Sequence, residues 1–310
     1  MNAIIMSGYG GADQLSLRDV PEPAVENHEI LLEVHAAGVN PVDWKIREGY
    51  LKDFLPYTFP LILGWEAAGI VRRVGEAVTL FKPGDPIFVL NEFTRPGCYA
   101  EFVTVDERNA AIKPGNINFV EAASLPLVGL TAWQALVDAA NISEGKRVLI
   151  HAGAGGVGSF AIQLAKARGA WVATTCSAAN IAFVKELGAD EVIDYTKEDF
   201  TARLKEMDIV LDTMAGKVYR DSFKVMRRGG VIVSLLEEPD QELTAAYGVR
   251  AEHVLVKPNS RQLAEIGRLI ESGSIQPVVK QVFPLEEVRE AHNRSQSGHT
   301  VGKIMLKMKE

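Results

Sequence analysis

Gly153, Gly155 and Gly158 stand in G-x-G-x-x-G spacing within the run Val148-Leu149-Ile150-His151-Ala152-Gly153-Ala154-Gly155-Gly156-Val157-Gly158. That spacing alone is a weak signal. Here it leaves an apolar run with strand character and opens an Ala/Leu-rich run with helical spacing, as a dinucleotide phosphate loop requires. The first glycine would permit the tight turn, the second would let backbone approach a pyrophosphate, and the third would allow close helix–strand packing. The helix N-terminus offers free N–H groups and a partial positive charge to phosphate. Ala154, Gly156 and Val157 belong to the same cradle. A glycine-rich turn that only packs strand on helix is the alternative, and the flanking elements argue against it.

An NAD site carries an Asp or Glu about 20 residues further on, bonding the ribose 2′-hydroxyl. The matching segment, Trp171 to Asn180 (WVATTCSAAN), contains no acid to repel a 2′-phosphate, which favours NADP. It contains no Lys or Arg either. Ser177, Asn180 and the Tyr195 hydroxyl are candidate phosphate contacts, each also readable as an ordinary turn or surface residue. Asp212 and Ser234 fall at expected C-terminal strand ends, where open α/β sheets bind ligands, though both types also form turns. His151 reads as a satisfied polar residue rather than an acid or base.

A strand must end at such a loop and a helix must leave it. Residues 147–153 read as a buried strand, and 157–170 place Val157, Phe160, Ala161, Leu164 and Ala165 on one helical face. The alternation continues: strand 171–176, helix 180–187, strand 190–195, helix 198–205, strand 208–213, helix 217–227, then strands at 229–236 and 253–258. Such repetition implies a parallel sheet with helices on both faces. Upstream the texture differs. Residues 28–40 alternate Ile30, Leu32 and Val34 and end in Gly and Asn, a half-buried strand; 67–75 and 98–106 read similarly. Lys82-Pro83-Gly84-Asp85-Pro86, Arg95-Pro96-Gly97 and Lys113-Pro114-Gly115 punctuate them. Short strands between such turns imply a small barrel or sandwich. Residues 119–140 have helical spacing throughout, and the stretch from about 258 holds one or two helices and a last strand.

The chain has 310 residues, about two domains' worth. With 47% hydrophobic and 24% charged residues it is an ordinary globular sequence, neither disordered nor fibrous. The net charge of −7 and the lack of any Lys/Arg cluster give no sign of a nucleic-acid partner. Two cysteines, Cys98 and Cys176, exclude a disulfide framework and fit a reducing compartment. No basic-then-apolar leader and no apolar run of about 20 residues is visible, so a cytoplasmic protein off the membrane is expected.

With these elements in place the sequence resembles the medium-chain dehydrogenases/reductases, specifically their zinc-free quinone oxidoreductase (zeta-crystallin-like) branch. The resemblance rests on His35-Ala36-Ala37-Gly38-Val39-Asn40-Pro41-Val42-Asp43, Gly64-Trp65-Glu66-Ala67-Ala68-Gly69, Phe81-Lys82-Pro83-Gly84-Asp85, Ala152 to Gly158, Leu187-Gly188-Ala189-Asp190 and Gly302-Lys303-Ile304. It spans essentially the whole chain. It implies an α/β protein with a GroES-like β-barrel domain over 1–122, completed by 258–310. A Rossmann doubly wound parallel sheet would occupy 123–257, with a cleft between the two. A catalytic zinc needs three protein ligands. The zinc-dependent relatives carry a Cys just after the Gly-Val segment and a Gly-His-Glu. Here Asn40–Asp43 holds no Cys, Trp65 replaces the His, and the four-cysteine lobe is absent. No metal is expected, and alcohol dehydrogenation without a Lewis acid is disfavoured.

The resemblance also implies roles. Asn40 matches a position that hydrogen-bonds near the nicotinamide ribose, though it could simply cap a turn. Asp43 and Lys45 share its loop, as site residues or as a solvent-facing ion pair. Tyr50 is a candidate donor to a substrate carbonyl, and Trp65 a candidate pocket wall. Thr131 and Trp133 fall where the family places cofactor-facing groups. Cys98 stands where relatives commonly have Gly and reads as structural. The expected activity is NADPH-dependent hydride transfer to quinones. An enone, 2-alkenal or enoyl reductase is the alternative, and an NADPH-binding structural or regulatory protein without turnover is the alternative of another class. Relatives pair through a last Rossmann strand that here resembles residues 253–257, so a homodimer is expected.

Overall fold

A computed structural model describes residues 1–309, which divide into two compact units. One holds Met1–Leu130, Lys257–Ser272 and the chain from Pro277 on; the other holds Thr131–Val256 and Gly273–Gln276.

In the first unit, strand Glu29–Val39 pairs with Glu66–Val74, Phe102–Asp106 and Lys303–Lys307, all antiparallel. Pro86–Leu90 and Ala110–Ile112 extend the sheet on one side, and Val279–Pro284 extends it in parallel beyond Lys303–Lys307. A second sheet joins Leu15–Asp19, Asn2–Met6 and Leu61–Ile62. Glu29–Val39 is buried along nearly its whole length, not on one face as its alternation suggested. Neighbours on every side cover it, and Arg72 and Lys309 neutralise the buried Glu33 carboxylate.

The second unit is a six-stranded parallel sheet ordered Glu191–Asp194, Trp171–Cys176, Arg147–Ile150, Met207–Asp212, Met226–Ser234, Arg250–His253. Numbered along the chain this is 3-2-1-4-5-6, and the order reverses beside Arg147–Ile150, the switch point where such sheets take ligands.

Several expected boundaries shift. Residues 119–140 break into Phe119–Ala123, Pro126–Trp133 and a π-helical turn, Gln134–Ala139. Residues 123–130 lie with the first unit, not with the parallel sheet, and there the Glu66 carboxylate accepts Leu127 N–H at 2.7 Å. Residues 273–276 join the second unit because Gln276 N–H donates to Gln163 Oε1 at 2.9 Å. The helix expected over 198–205 is a single turn, Phe200–Arg203. The helix expected over 217–227 stops at Ser222, since buried Phe223 and Val225 turn into the strand starting at Met226. The last parallel strand is Arg250–His253 rather than 253–257: its register sets Val231 opposite Arg250 and Ser234 opposite His253. The ladder runs out as Val254 N–H meets Ser234 C=O at 3.0 Å.

Candidate functional site

Strand Arg147–Ile150 delivers the glycine loop at the switch point, and helix Gly156–Ala167 carries it away. His151 N–H donates to Leu211 C=O at 3.1 Å and Gly153 N–H to Thr175 C=O at 3.0 Å, fixing the loop to both flanking strands. The left-handed residue of the turn is Ala152, at φ 52°, not Gly153. Gly153 is required for another reason: a Cβ there would lie 2.0 Å from Thr174 Oγ1 and 2.9 Å from Ile162 Cδ1. At Gly158 a Cβ would lie 2.3 Å from Ala152 C=O, so helix and loop touch backbone to backbone.

Gly155 differs. Its φ of −74° suits any residue, and a Cβ would meet nothing nearer than Ala152 O at 3.4 Å. The fold leaves room there that an external group can use. No side chain caps this helix, so its first-turn N–H groups and positive dipole end face an outside acceptor. Bare backbone, open space and an uncapped helix start fit the pyrophosphate of a dinucleotide.

Beside the loop, Ser177 follows strand Trp171–Cys176 and accepts Asn180 Nδ2–H at 3.1 Å. Tyr195 N–H donates to Cys176 C=O at 3.2 Å, bringing its ring, 57% exposed, to the same strand ends. The three residues singled out from the sequence therefore converge. Lys197 follows Tyr195 on the same turn, its N–H donating to Asp194 C=O at 2.9 Å; its side chain is 72% exposed, with Nζ 3.8 Å from Asp194 Oδ2. Residues 171–180 hold no cation of their own; parallel pairing of Cys176 with Asp194 supplies Lys197 from the neighbouring strand.

Asp212 and Ser234 do sit at adjacent strand ends, but their polar atoms are consumed internally. Ser234 Oγ–H donates to Asp212 Oδ2 at 2.7 Å and accepts Glu237 N–H at 3.0 Å, while Asp212 Oδ1 accepts Met214 N–H at 3.0 Å. They shape the loops. Thr131 is buried, and Trp133 packs under the Arg168 guanidinium at 4.9 Å. His151 is buried between Thr175 Oγ1 (3.2 Å) and Ser222 Oγ (3.0 Å), and burial lowers its pKa to about 3. Burial likewise pushes the Cys98 thiol up, consistent with a structural cysteine.

In the first unit, Asn40 ends strand Glu29–Val39 and starts helix Pro41–Arg47. Its Nδ2–H donates to Glu66 Oε1 at 2.7 Å, and Lys303 Nζ donates to its Oδ1 and, at 2.6 Å, to Glu66 Oε1. Glutamate can only accept and lysine only donate, so the pair dictates which way the Asn40 amide faces. Asp43 is not on an exposed loop. It lies wholly buried in that helix, accepting Asn40 N–H at 2.7 Å and the Tyr99 hydroxyl at 2.8 Å. Burial raises its pKa to about 7. Lys45 is half-buried near the Trp44 ring, 5.9 Å away, and forms no ion pair with Asp43.

Tyr50 is 69% exposed, edge-on to Trp44 at 6.0 Å. Trp65 is fully buried: Nε1–H donates to Arg95 C=O at 3.2 Å, and the ring packs on Tyr57 and Phe93. A side chain so enclosed packs the core and walls no open pocket. Glu66 and Lys303 went unassigned in the sequence, although both lie in quoted motifs; a buried acid and a buried base far apart in the chain give no local signal. Among the described residues no group of three or more His, Cys, Asp or Glu side chains is placed to hold a metal ion.

Residues 26–115 match the family model of the alcohol dehydrogenase GroES-like domain, and 187–306 that of zinc-binding dehydrogenase. An NADPH-dependent alkenal/one oxidoreductase, chloroplastic, of Arabidopsis thaliana is 37% identical over 317 residues, covering 99% of this chain and 79% of that one. The quinone oxidoreductase structure from Coxiella burnetii superposes with a TM-score of 0.93 at 36% identity, over 100% of this chain and 99% of that one. The Escherichia coli quinone oxidoreductase complexed with NADPH gives 0.91 at 30% identity, over 99% and 100%.

Proposed function

This chain belongs to the quinone oxidoreductase branch of the medium-chain dehydrogenases/reductases, and from that premise we propose that it reduces quinones or α,β-unsaturated carbonyl compounds with NADPH. The observation that carries the reading is the open space at Gly155 before an uncapped helix start. Gly156 and Val157 would hold the pyrophosphate by backbone N–H groups, with Gly155 leaving room for its approach. Ser177, Asn180, Tyr195 and Lys197 would receive the 2′-phosphate, and the absence of a carboxylate over 171–180 supports NADPH over NADH. The nicotinamide, when bound, supplies the hydride. Asn40, its amide direction fixed by Glu66 and Lys303, would orient the nicotinamide ribose. The Tyr50 hydroxyl would donate to the substrate carbonyl, where negative charge builds as reduction proceeds.

Names of similar proteins support both substrate classes: quinones for the bacterial structures, alkenals and enones for the plant relative. The test is oxidation of NADPH and NADH against a panel of quinones and enones. Turnover with at least one class and a preference for NADPH supports the reading. Tight NADPH binding without turnover on any member would instead favour a cofactor-binding structural or regulatory protein. We further propose a homodimer formed through the edge strand Arg250–His253 and residues 254–257 that follow it, where Leu255 is exposed, and a cytoplasmic location. No helix among the described residues is long and apolar enough to cross a membrane.

A further inference from the structure

His151 faces a set of groups whose protons can all be assigned. Ser222 Oγ lies 2.7 Å from Val218 C=O, which can only accept, so the single Ser222 proton goes there. Toward His151 Nε2, 3.0 Å away, Ser222 Oγ must accept, and Nε2 carries the ring proton. Nδ1 is then the lone-pair nitrogen. The Thr175 hydroxyl, 3.2 Å away, must donate to it. That leaves the Thr175 oxygen free to accept Ala152 N–H, at 3.2 Å. Ala152 is the one residue of the glycine loop with positive φ, and Gly155 N–H closes the turn on its carbonyl at 3.0 Å. An alanine in left-handed backbone is strained and persists only where its surroundings hold it.

We infer that His151 is a positioning residue for the dinucleotide: through the Thr175 hydroxyl it aims that oxygen's acceptor side at Ala152 N–H and so holds the phosphate loop in its binding shape. The inference rests on the reading of this loop as a dinucleotide site. The two faces of the imidazole have separate jobs. Nδ1 governs the loop through Thr175, whereas Nε2 ties strand Arg147–Ile150 to helix Gly216–Ser222 and touches no part of the loop.

Two substitutions separate them. His151→Asn keeps an amide oxygen near Nδ1 and loses the Ser222 bond. His151→Gln reaches toward Ser222 and abandons Thr175. Each deletes one buried hydrogen bond, so both lower the thermal midpoint similarly. Affinity for NADP⁺, measured by calorimetry, distinguishes them. His151→Gln should weaken it about tenfold, the size of one lost buried hydrogen bond, and His151→Asn should stay near wild type. With NADPH and the best substrate of the panel, the Gln variant should show raised KM for NADPH at unchanged kcat. Thr175→Val, which removes the same hydroxyl while keeping the shape, should reproduce the Gln phenotype. Equal affinity losses in the Asn and Gln variants, following stability alone, would overturn the inference, as would a Thr175→Val protein with wild-type affinity. If wild type itself binds no NADP⁺, the dinucleotide reading fails first, and that outcome is distinct from either. Should the Gln variant not fold, Thr175→Val carries the test.

Discussion

The three loop glycines should respond to alanine in different currencies. At Gly158 the new Cβ would stand 2.3 Å from the Ala152 carbonyl oxygen and 2.7 Å from Gly153 Cα. Backbone cannot rotate away as a side chain can, so the helix must shift, at about 1–3 kcal/mol or more. At Gly153 the nearest obstacle is Thr174 Oγ1 at 2.0 Å, whose hydroxyl donates to Ile150 C=O at 2.7 Å. Rotating it away forfeits that bond, about 0.5–1.5 kcal/mol, and the remaining crowding against Ile162 adds about 1–3. Adding Thr174→Ala removes the worst clash, so the double variant should be less damaged than the sum of the singles. At Gly155 the fold meets almost nothing. Its φ of −74° admits alanine, which stiffens the unfolded chain by about 0.4–1 kcal/mol, against a comparable penalty for a poorer N-cap. The net change should be within about 1 kcal/mol, whereas NADP⁺ affinity should fall at least about tenfold, because the methyl occupies the approach of the pyrophosphate. Urea unfolding midpoints and calorimetric titration of all five variants, the Thr174→Ala single included, make the comparison. A Gly155→Ala protein that binds NADP⁺ like wild type, or that is as destabilised as Gly158→Ala, refutes the reasoning.

Ser177→Asp should weaken NADPH by about tenfold or more while sparing NADH, since it sets a carboxylate beside Asn180, Tyr195 and Lys197; parallel fluorescence titrations read the ratio. Acid should destabilise the protein through His151 and His292, both buried with pKa lowered to about 3. The fold favours their neutral form, so this contribution is complete above about pH 6.5 and declines as pH falls toward 3. By pH 5 each ring costs about 2 kcal/mol, and a melting midpoint flat from pH 7.5 to 5 would contradict the assignment. Tyr50→Phe should lower kcat/KM for an enone more than for a quinone, whose second carbonyl spreads the developing charge, whereas Asn40→Ala should harm both alike; unchanged enone turnover in Tyr50→Phe would mark Tyr50 as surface. Light scattering at micromolar concentration should give twice the chain mass, and a monomer mass would remove the proposed edge-to-edge pairing.

What the sequence made legible was local. Glycine spacing, apolar runs and turn residues lie within a few positions of one another, and they led to the parallel sheet and to the glycine loop between a strand and a helix. Contacts between distant segments were not legible. Asp43 reads as a polar loop residue until Tyr99, 56 positions away, closes over it. Glu66 and Lys303 acquire meaning only when a strand near the end of the chain is laid beside Glu29–Val39. Asp212 and Ser234 were read at the right strand ends, but their hydrogen bonds to the following turn leave no trace in composition. Gly153 shows a subtler failure. The motif foretold a glycine and the wrong reason for it: the obstacle is a threonine on the adjacent strand, not backbone dihedral strain.

The pairing of Lys303–Lys307 with Glu29–Val39 has a consequence for the order in which the molecule comes into being. During synthesis the parallel sheet over 147–253 has every strand in hand once Arg250–His253 has emerged. The sheet begun at residue 29 must wait for residues 303–307, and until Lys303 arrives the Glu66 carboxylate has no cation to meet. The segment made first is therefore finished last, the reverse of the usual N-terminal-first succession of domains. In the interval Ala36–Val39, the part of that strand which Lys303–Lys307 covers, exposes an unpaired apolar edge, the kind of surface that invites association with other nascent chains. A ribosome stalled before residue 303 should hold a protease-resistant second unit and a first unit that is still cleaved.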